Sequence, residues 1–220
     1  MKKLLYKEIV LSTNFQIILF TTFALFVLIP SWPPAIAFVY PLSGLMTLFP
    51  TALANKDIEY TSLLPIKKTD IVKAKALYLG VIELTVIVLA TIAGLIRIFL
   101  YPTPTENPDE IAYFMATRPS LSLLGFAFMS FGVMNLVLLS MYYRDPYKRL
   151  TGPNIVSLIV CIILLTVGTL VIAFIPALRE YDMVGLIAQL STLGLGIILF
   201  VLFSFLGYKS GAKAFTNIDL

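Results

Sequence analysis

Six stretches dominated by apolar side chains recur along this chain, at about residues 15–29, 35–54, 76–100, 121–143, 154–175 and 185–206. A bilayer-spanning helix needs about 20 predominantly apolar residues, so the first is slightly short and the other five qualify. Only helices and closed barrels satisfy every backbone polar group in lipid, and runs of this length without strict alternation read as helices. The chain is 59% hydrophobic and 13% charged, against about 25% charged for a soluble domain. That leaves too little charge to coat a water-facing surface. The expectation is an all-α membrane protein with a single transmembrane domain over residues 1–220.

The basic residues orient these spans. Thirteen of the sixteen lie in the N-terminus, the Lys56–Lys75 loop, the Arg144–Pro153 loop and the C-terminal tail. Arg97, Arg118 and Arg179 fall on the other side, beside Glu106, Asp109, Glu110, Glu180 and Asp182. By the positive-inside rule both termini are cytoplasmic, which requires an even number of spans. The net charge of +4 therefore serves topology and contact with membrane lipids, and no nucleic-acid partner is expected.

Several segments carry local expectations. Residues 1–14 mix Leu4, Leu5, Ile9 and Leu11 with Lys2, Lys3, Lys7 and Glu8, which suits either an interfacial helix on the inner leaflet or an ordinary charged flank. Ala35-Ile36-Ala37 imitates a signal-peptidase site, but the chain turns apolar again at once, so an uncleaved first hairpin is expected. Pro41, Gly44 and Pro50 predict a kinked second span. The outer loop 101–120 carries a candidate short helix at Asp109–Ala116.

The residue inventory excludes much chemistry. With no histidine and a single cysteine, Cys161, there is no His-based acid–base pair, no Cys–His nucleophile and no CxxC site. No catalytic or metal-ligating residues are expected. An embedded carboxylate-and-metal transferase would need clustered acids, whereas Asp57, Glu59, Asp70 and Asp145 are scattered in sequence.

The segment that reads as functional is 55–75, NKDIEYTSLLPIKKTDIVKAK, too long for a tight turn and too polar for lipid. Asp57, Ile58, Tyr60, Thr61, Leu63 and Leu64 sit at helix-compatible spacing until Pro65 breaks the pattern. Thr69-Asp70 is then a candidate N-cap region for a helix entering the third span. The expectation is a short helix lying across the cytoplasmic face.

Residues 64–75, LPIKKTDIVKAK, resemble the LPIS-R/K-x-x-IV-x-x-K stretch that follows the second span in the ATP-binding-cassette type-2 (ABC-2) permease family. The resemblance implies a six-span subunit of a bacterial ABC exporter in the cytoplasmic membrane, similar to small peptide-exporter permeases. It implies a coupling helix that docks on an ATPase, with Asp57, Glu59, Tyr60, Leu63, Leu64, Pro65 and Lys67 as contacts. Arg144, Asp145, Lys148 and Arg149 are candidates for a second cytoplasmic contact, or simply a basic loop. The chain lacks a GxxxxGK[ST] phosphate loop, so ATP and Mg would reside in a separate ATPase subunit. The other implied partner is a second permease copy or paralogue. Amphipathic or antimicrobial peptides are the implied substrate. Lipid or drug export, and a non-transporting sensor or anchor, are the alternatives.

Within the spans, Glu83 and Asn135 are candidates for pathway or gating roles, or for structural hydrogen bonds. Gln189 is expected to bond between helices, and Arg97 to snorkel to the surface. Ala90-x-x-x-Gly94 and Gly194-x-Gly196 predict close helix approach.

Overall fold

In a computed structural model, residues 2–30, 32–101, 117–145 and 151–218 are described, and all their regular structure is helical. We label the α-helices α1 Lys2–Ser12, α2 Phe15–Thr22, α3 Ile36–Ala54, α4 Asp57–Ser62, α5 Lys68–Leu100, α6 Leu121–Tyr142, α7 Thr151–Phe174 and α8 Met183–Thr216. Five of them, α3 and α5–α8, are long and apolar enough to cross a membrane, and the pair α1 and α2 with its extension could supply a sixth crossing. The candidate helix at 109–116 and the candidate contacts Lys148 and Arg149 lie outside the described residues.

The short first span solves its length problem by changing helix type. After α2, residues Phe23–Leu28 continue as a 3-10 helix. A 3-10 helix rises about 2.0 Å per residue against 1.5 Å, so these fourteen residues reach about 24 Å. At Thr13-Asn14 the chain bends by 90°, which turns α1 away from this direction. Asn14 makes the corner: its Oδ1 accepts from Ile17 N at 2.8 Å and its Nδ2 donates to Thr51 Oγ1 on α3 at 3.2 Å.

Two helices overshoot the expected spans. α5 starts at Lys68 and α8 continues to Thr216, so each exceeds 30 residues, or about 50 Å. The surplus of both projects from the same end of the bundle, where Lys68 Nζ donates to Ile218 O at 2.5 Å. Thr69 and Asp70 are not the cap; Lys67 occupies that position, and Asp70 lies in the first turn, favourable beside the helix dipole.

α3 runs through both of its prolines. Pro50 has no N–H to give Met46 O, and Asn154 Nδ2 from α7 supplies the missing donor at 3.3 Å. α6 and α8 form the tightest seam. A Cβ on Gly196 would stand 2.2 Å from Gly125 O, and one on Gly207 2.7 Å from Asn135 O, so only glycine permits these backbones to meet. Gly194 faces open space, so of the expected Gly-x-Gly pair only Gly196 packs.

The exposed faces of α5, α7 and α8 carry Leu, Ile, Val and Phe throughout, including Val88, Ile163, Ile198 and Phe205. Water does not tolerate a continuous apolar coat of this extent, whereas hydrocarbon does. The chain is a multi-pass membrane protein by this criterion. Arg97 does not snorkel: it is 1% exposed and donates to Val27 O, Pro30 O and Thr117 Oγ1 at 3.1–3.3 Å. The 3-10 segment ends with carbonyls lacking helical partners, and a buried guanidinium satisfies them better than a distant surface would.

Candidate functional site

At the basic end, three elements far apart in sequence converge on one charged cluster. α3 stops at Asn55, and Lys56 then adopts a left-handed backbone (φ 51°), the only positive-φ residue outside glycine among those described. That turn launches α4, whose first turn carries Asp57 and Glu59, favourable at the positive end of a helix. Six residues cannot hold a helix in isolation. Its stability must come from what it packs against.

Asp57, Ile58 and Thr61 form the inner face of α4 and are buried. Beneath them lie Lys7 and Glu8 of α1 and Lys75 of α5. Lys7 Nζ sits 2.6 Å from Asp57 Oδ1 and 3.0 Å from Glu8 Oε1. Lys75 Nζ pairs with Glu8 Oε2 and lies 3.4 Å from Asp57 Oδ2. The result is a closed ring of two cations and two anions, alternating in sign. Hydroxyls complete it: Thr61 Oγ1 accepts from Lys7 at 2.7 Å and donates to Asp57 at 3.1 Å. Ser12 Oγ accepts from Lys75 at 3.0 Å and donates to Glu8 at 3.1 Å.

Burying Glu8, Asp57 and Lys75, with Lys7 half-buried beside them, is costly unless each charge is paired and hydrogen-bonded, and this ring meets both conditions. Burial alone would raise the Asp57 carboxyl, but the Lys75 and Lys7 charges and the hydrogen bonds from Lys7 and Thr61 outweigh it and hold it below the ordinary range. Lys7 is depressed by burial and lifted more strongly by Asp57 and Glu8, so it stays above the usual lysine value. Asp57 and Lys7 are thus suited to remain charged at neutral pH. The ring makes α1, α4 and the start of α5 one mechanical unit. A further bond, Thr13 Oγ1 to Tyr78 OH at 2.6 Å, reinforces the α1–α5 joint.

The buried face of α1 is polar (Glu8, Ser12), while Tyr6, Ile9, Val10 and Leu11 are exposed. This is the inverse of a soluble amphipathic helix and fits an element lying in the lipid interface. The outer face of α4 and the turn after it are equally distinctive. Tyr60 is 67% exposed and Leu63 81%, with Leu64 and Pro65 also exposed and Glu59 and Lys67 flanking them.

Among the sequence candidates, Glu59, Tyr60, Leu63, Leu64, Pro65 and Lys67 therefore share the outward side, and Asp57 alone turns inward. Arg144 and Asp145 are exposed just beyond α6. The end of α6 reaches α4, because Tyr142 shares a cavity of about 10 Å³ with Asp57 and Glu59. Glu83 and Asn135 lie elsewhere, buried between α5 and α6, where Asn135 Nδ2 donates to Glu83 Oε2 at 2.9 Å and to Ser204 Oγ of α8 at 3.0 Å. Gln189 likewise joins elements: its Oε1 accepts from Leu121 N at 3.0 Å and its Nε2 donates to Glu180 O at 2.7 Å.

No family model, curated protein or solved structure matches this chain. Among the described residues no group of three or more acidic or cysteine side chains could hold a metal ion.

The ring partners Lys7, Glu8 and Lys75 were not singled out in the sequence as site residues. A hint existed: Lys75 stands where an apolar helix begins and Glu8 lies between Leu5 and Ser12 on one helical face. Neither shows which charge it meets.

Proposed function

We propose that this chain is the membrane subunit of an ABC-2 type exporter, with six spans and both termini in the cytoplasm of a bacterial cell. It works with a separate ATPase and a second permease copy or paralogue. ATP and Mg belong to the ATPase. Amphipathic or antimicrobial peptides are the proposed cargo.

The observation that carries this reading is the division of labour on α4. Its outer side and the turn after it offer Tyr60, Leu63 and Leu64 to a partner, while its inner side is fastened by Asp57 to α1 and α5. An element that receives force must be exposed on one side and rigidly joined to spans on the other. Exposed aromatic and leucine side chains on a polar rim are suited to a partner's hydrophobic groove. The ring makes α5 the lever: a push on α4 passes through Asp57 and Lys75 to a helix about 50 Å long. Arg144 and Asp145, close to α4 through the end of α6, extend the same docking surface.

The test is co-expression with a candidate ABC ATPase subunit. Leu63→Asp with Tyr60→Ala should abolish co-purification and substrate-stimulated ATP hydrolysis while leaving the chain folded in the membrane. Retention of both would overturn the coupling assignment.

A further inference from the structure

Glu83 lies on α5 two turns beyond Lys75, about 12 Å along the axis, and about 21 Å short of Arg97. It is fully buried. Among the described residues none of the ion pairs reaches it. The groups that face it are neutral: Asn135 from α6, Ser204 through Asn135 from α8, and Cys161 of α7, whose thiol donates to Ser130 O at 3.2 Å.

The hydrogen-bond inventory of this cluster is short by one proton. Both hydrogens of Asn135 Nδ2 are used, on Glu83 Oε2 and on Ser204 Oγ. Glu83 Oε1 and Asn135 Oδ1 are buried and have no partner. These two orphan oxygens belong to the two side chains that already share a hydrogen bond. An ionised carboxylate would leave both unsatisfied and place a lone charge in the apolar interior, the costliest arrangement available.

We propose that Glu83 is a proton-binding site: it is held as the neutral carboxylic acid, and its Oε1–H donates to Asn135 Oδ1. Acid and amide then form a cyclic pair with two parallel hydrogen bonds. The bound proton clasps α5 to α6, and Ser204 extends the clasp to α8. Gly207 presses on the backbone of Asn135 from α8, so the amide cannot retreat without moving that helix. Opening this interface to water would release the proton and the clasp together. The inference stands on α5, α6 and α8 alone and is independent of any ATPase partner.

Glutamine is the natural mimic, since its Nε2 donates where the acid would and its Oε1 still accepts from Asn135. The experiment uses the full chain in lipid nanodiscs at neutral pH. The infrared difference between wild type and Glu83→Gln should show a protonated carboxylic C=O band in the wild type alone. In Asn135→Leu that band should move to higher frequency as its hydrogen bond is lost. Glu83→Gln should melt within about 2 °C of wild type, whereas Glu83→Ala should melt at least about 5 °C lower. Carboxylate bands alone in the difference spectrum would overturn the proposal. So would a Glu83→Gln that melts as low as Glu83→Ala. A melting temperature raised by sodium in wild type but not in Glu83→Gln would show a monovalent cation in place of the proton, and would also overturn it.

Discussion

Helix α5 carries two buried polar clusters, and they solve the same problem in opposite ways. At its basic end, Lys75 joins a ring with Lys7, Glu8 and Asp57 in which every charge has counter-charges and hydroxyl partners. Two turns further on, Glu83 meets only uncharged groups, Asn135 and, beyond it, Ser204. Depth accounts for the difference. Near the headgroup zone a charge can be kept if enough partners converge, and Lys7 retains partial contact with the surroundings, at 20% side-chain exposure. Two turns deeper along the span the solvation penalty is larger, and neutrality is the less costly solution. A ring of charges resists shear between elements; a neutral pair holds helices together with little electrostatic reach.

The largest effect should come from breaking the ring at one point. Lys75→Ala leaves Glu8 and Asp57 buried with only Lys7 between them, and loss of one partner in a buried pair costs about 3–5 kcal/mol. For a chain of this size, thermal melting in detergent should fall by roughly 6 °C or more. An unchanged melting point would mean that the ring is not a structural joint.

Replacing all four charges together, with Lys7→Leu, Glu8→Leu, Asp57→Leu and Lys75→Met, sharpens the contrast. Apolar substitution of a whole buried network is often neutral or stabilising. The chain should still fold, and under the proposed function transport should fail, because directional joints are replaced by slippery ones. Vesicle uptake measured beside melting separates the two effects. A quadruple variant that transports normally would remove the ring from the mechanism.

A smaller loss is expected at Asn154→Leu, which leaves Met46 O without the donor that Pro50 cannot provide. An unsatisfied buried carbonyl costs about 1–3 kcal/mol. Chemical denaturation of the reconstituted chain measures it, and a neutral result would show that water or a backbone shift repairs the gap.

The pH response of the ring should be the flattest of all near neutrality. Lys7 lies above its ordinary value, so its contribution is complete below about pH 10 and fades only as pH rises beyond that. Asp57 lies below its ordinary value, so its contribution is complete above about pH 4 and fades as pH falls further. Melting temperature should therefore vary little from about pH 6 to 9 on account of these groups. Asp57→Asn should remove the acid-side loss, a difference readable in a pH series.

Much of the architecture was legible in one dimension. α3, α6 and α7 begin and end within about three residues of the apolar runs that predicted them, because hydropathy is a property of consecutive residues. The short helix before Pro65 and the helix leading into the third span were equally visible, from spacing and a breaker. The same spacing picked out Tyr60, Leu63 and Leu64 but grouped them with Asp57, Ile58 and Thr61, which the structure turns inward. Less was readable of Arg97, whose snorkelling expectation rested on its nearness to a helix end. The carbonyls that hold it come from Val27 and Pro30, about 70 residues earlier.

Composition and the order of apolar and basic residues thus determined that this chain lives in lipid, where its helices run, and which of its ends carry the positive charge. Tertiary structure alone decided that Asp57 faces inward, that Lys7, Glu8 and Lys75 close a ring around it, and that Glu83 finds an amide instead of a cation. The reason is physical: insertion into hydrocarbon is scored residue by residue along a segment, but pairing depends on partners 50 or more residues away whose positions exist only once the helices pack.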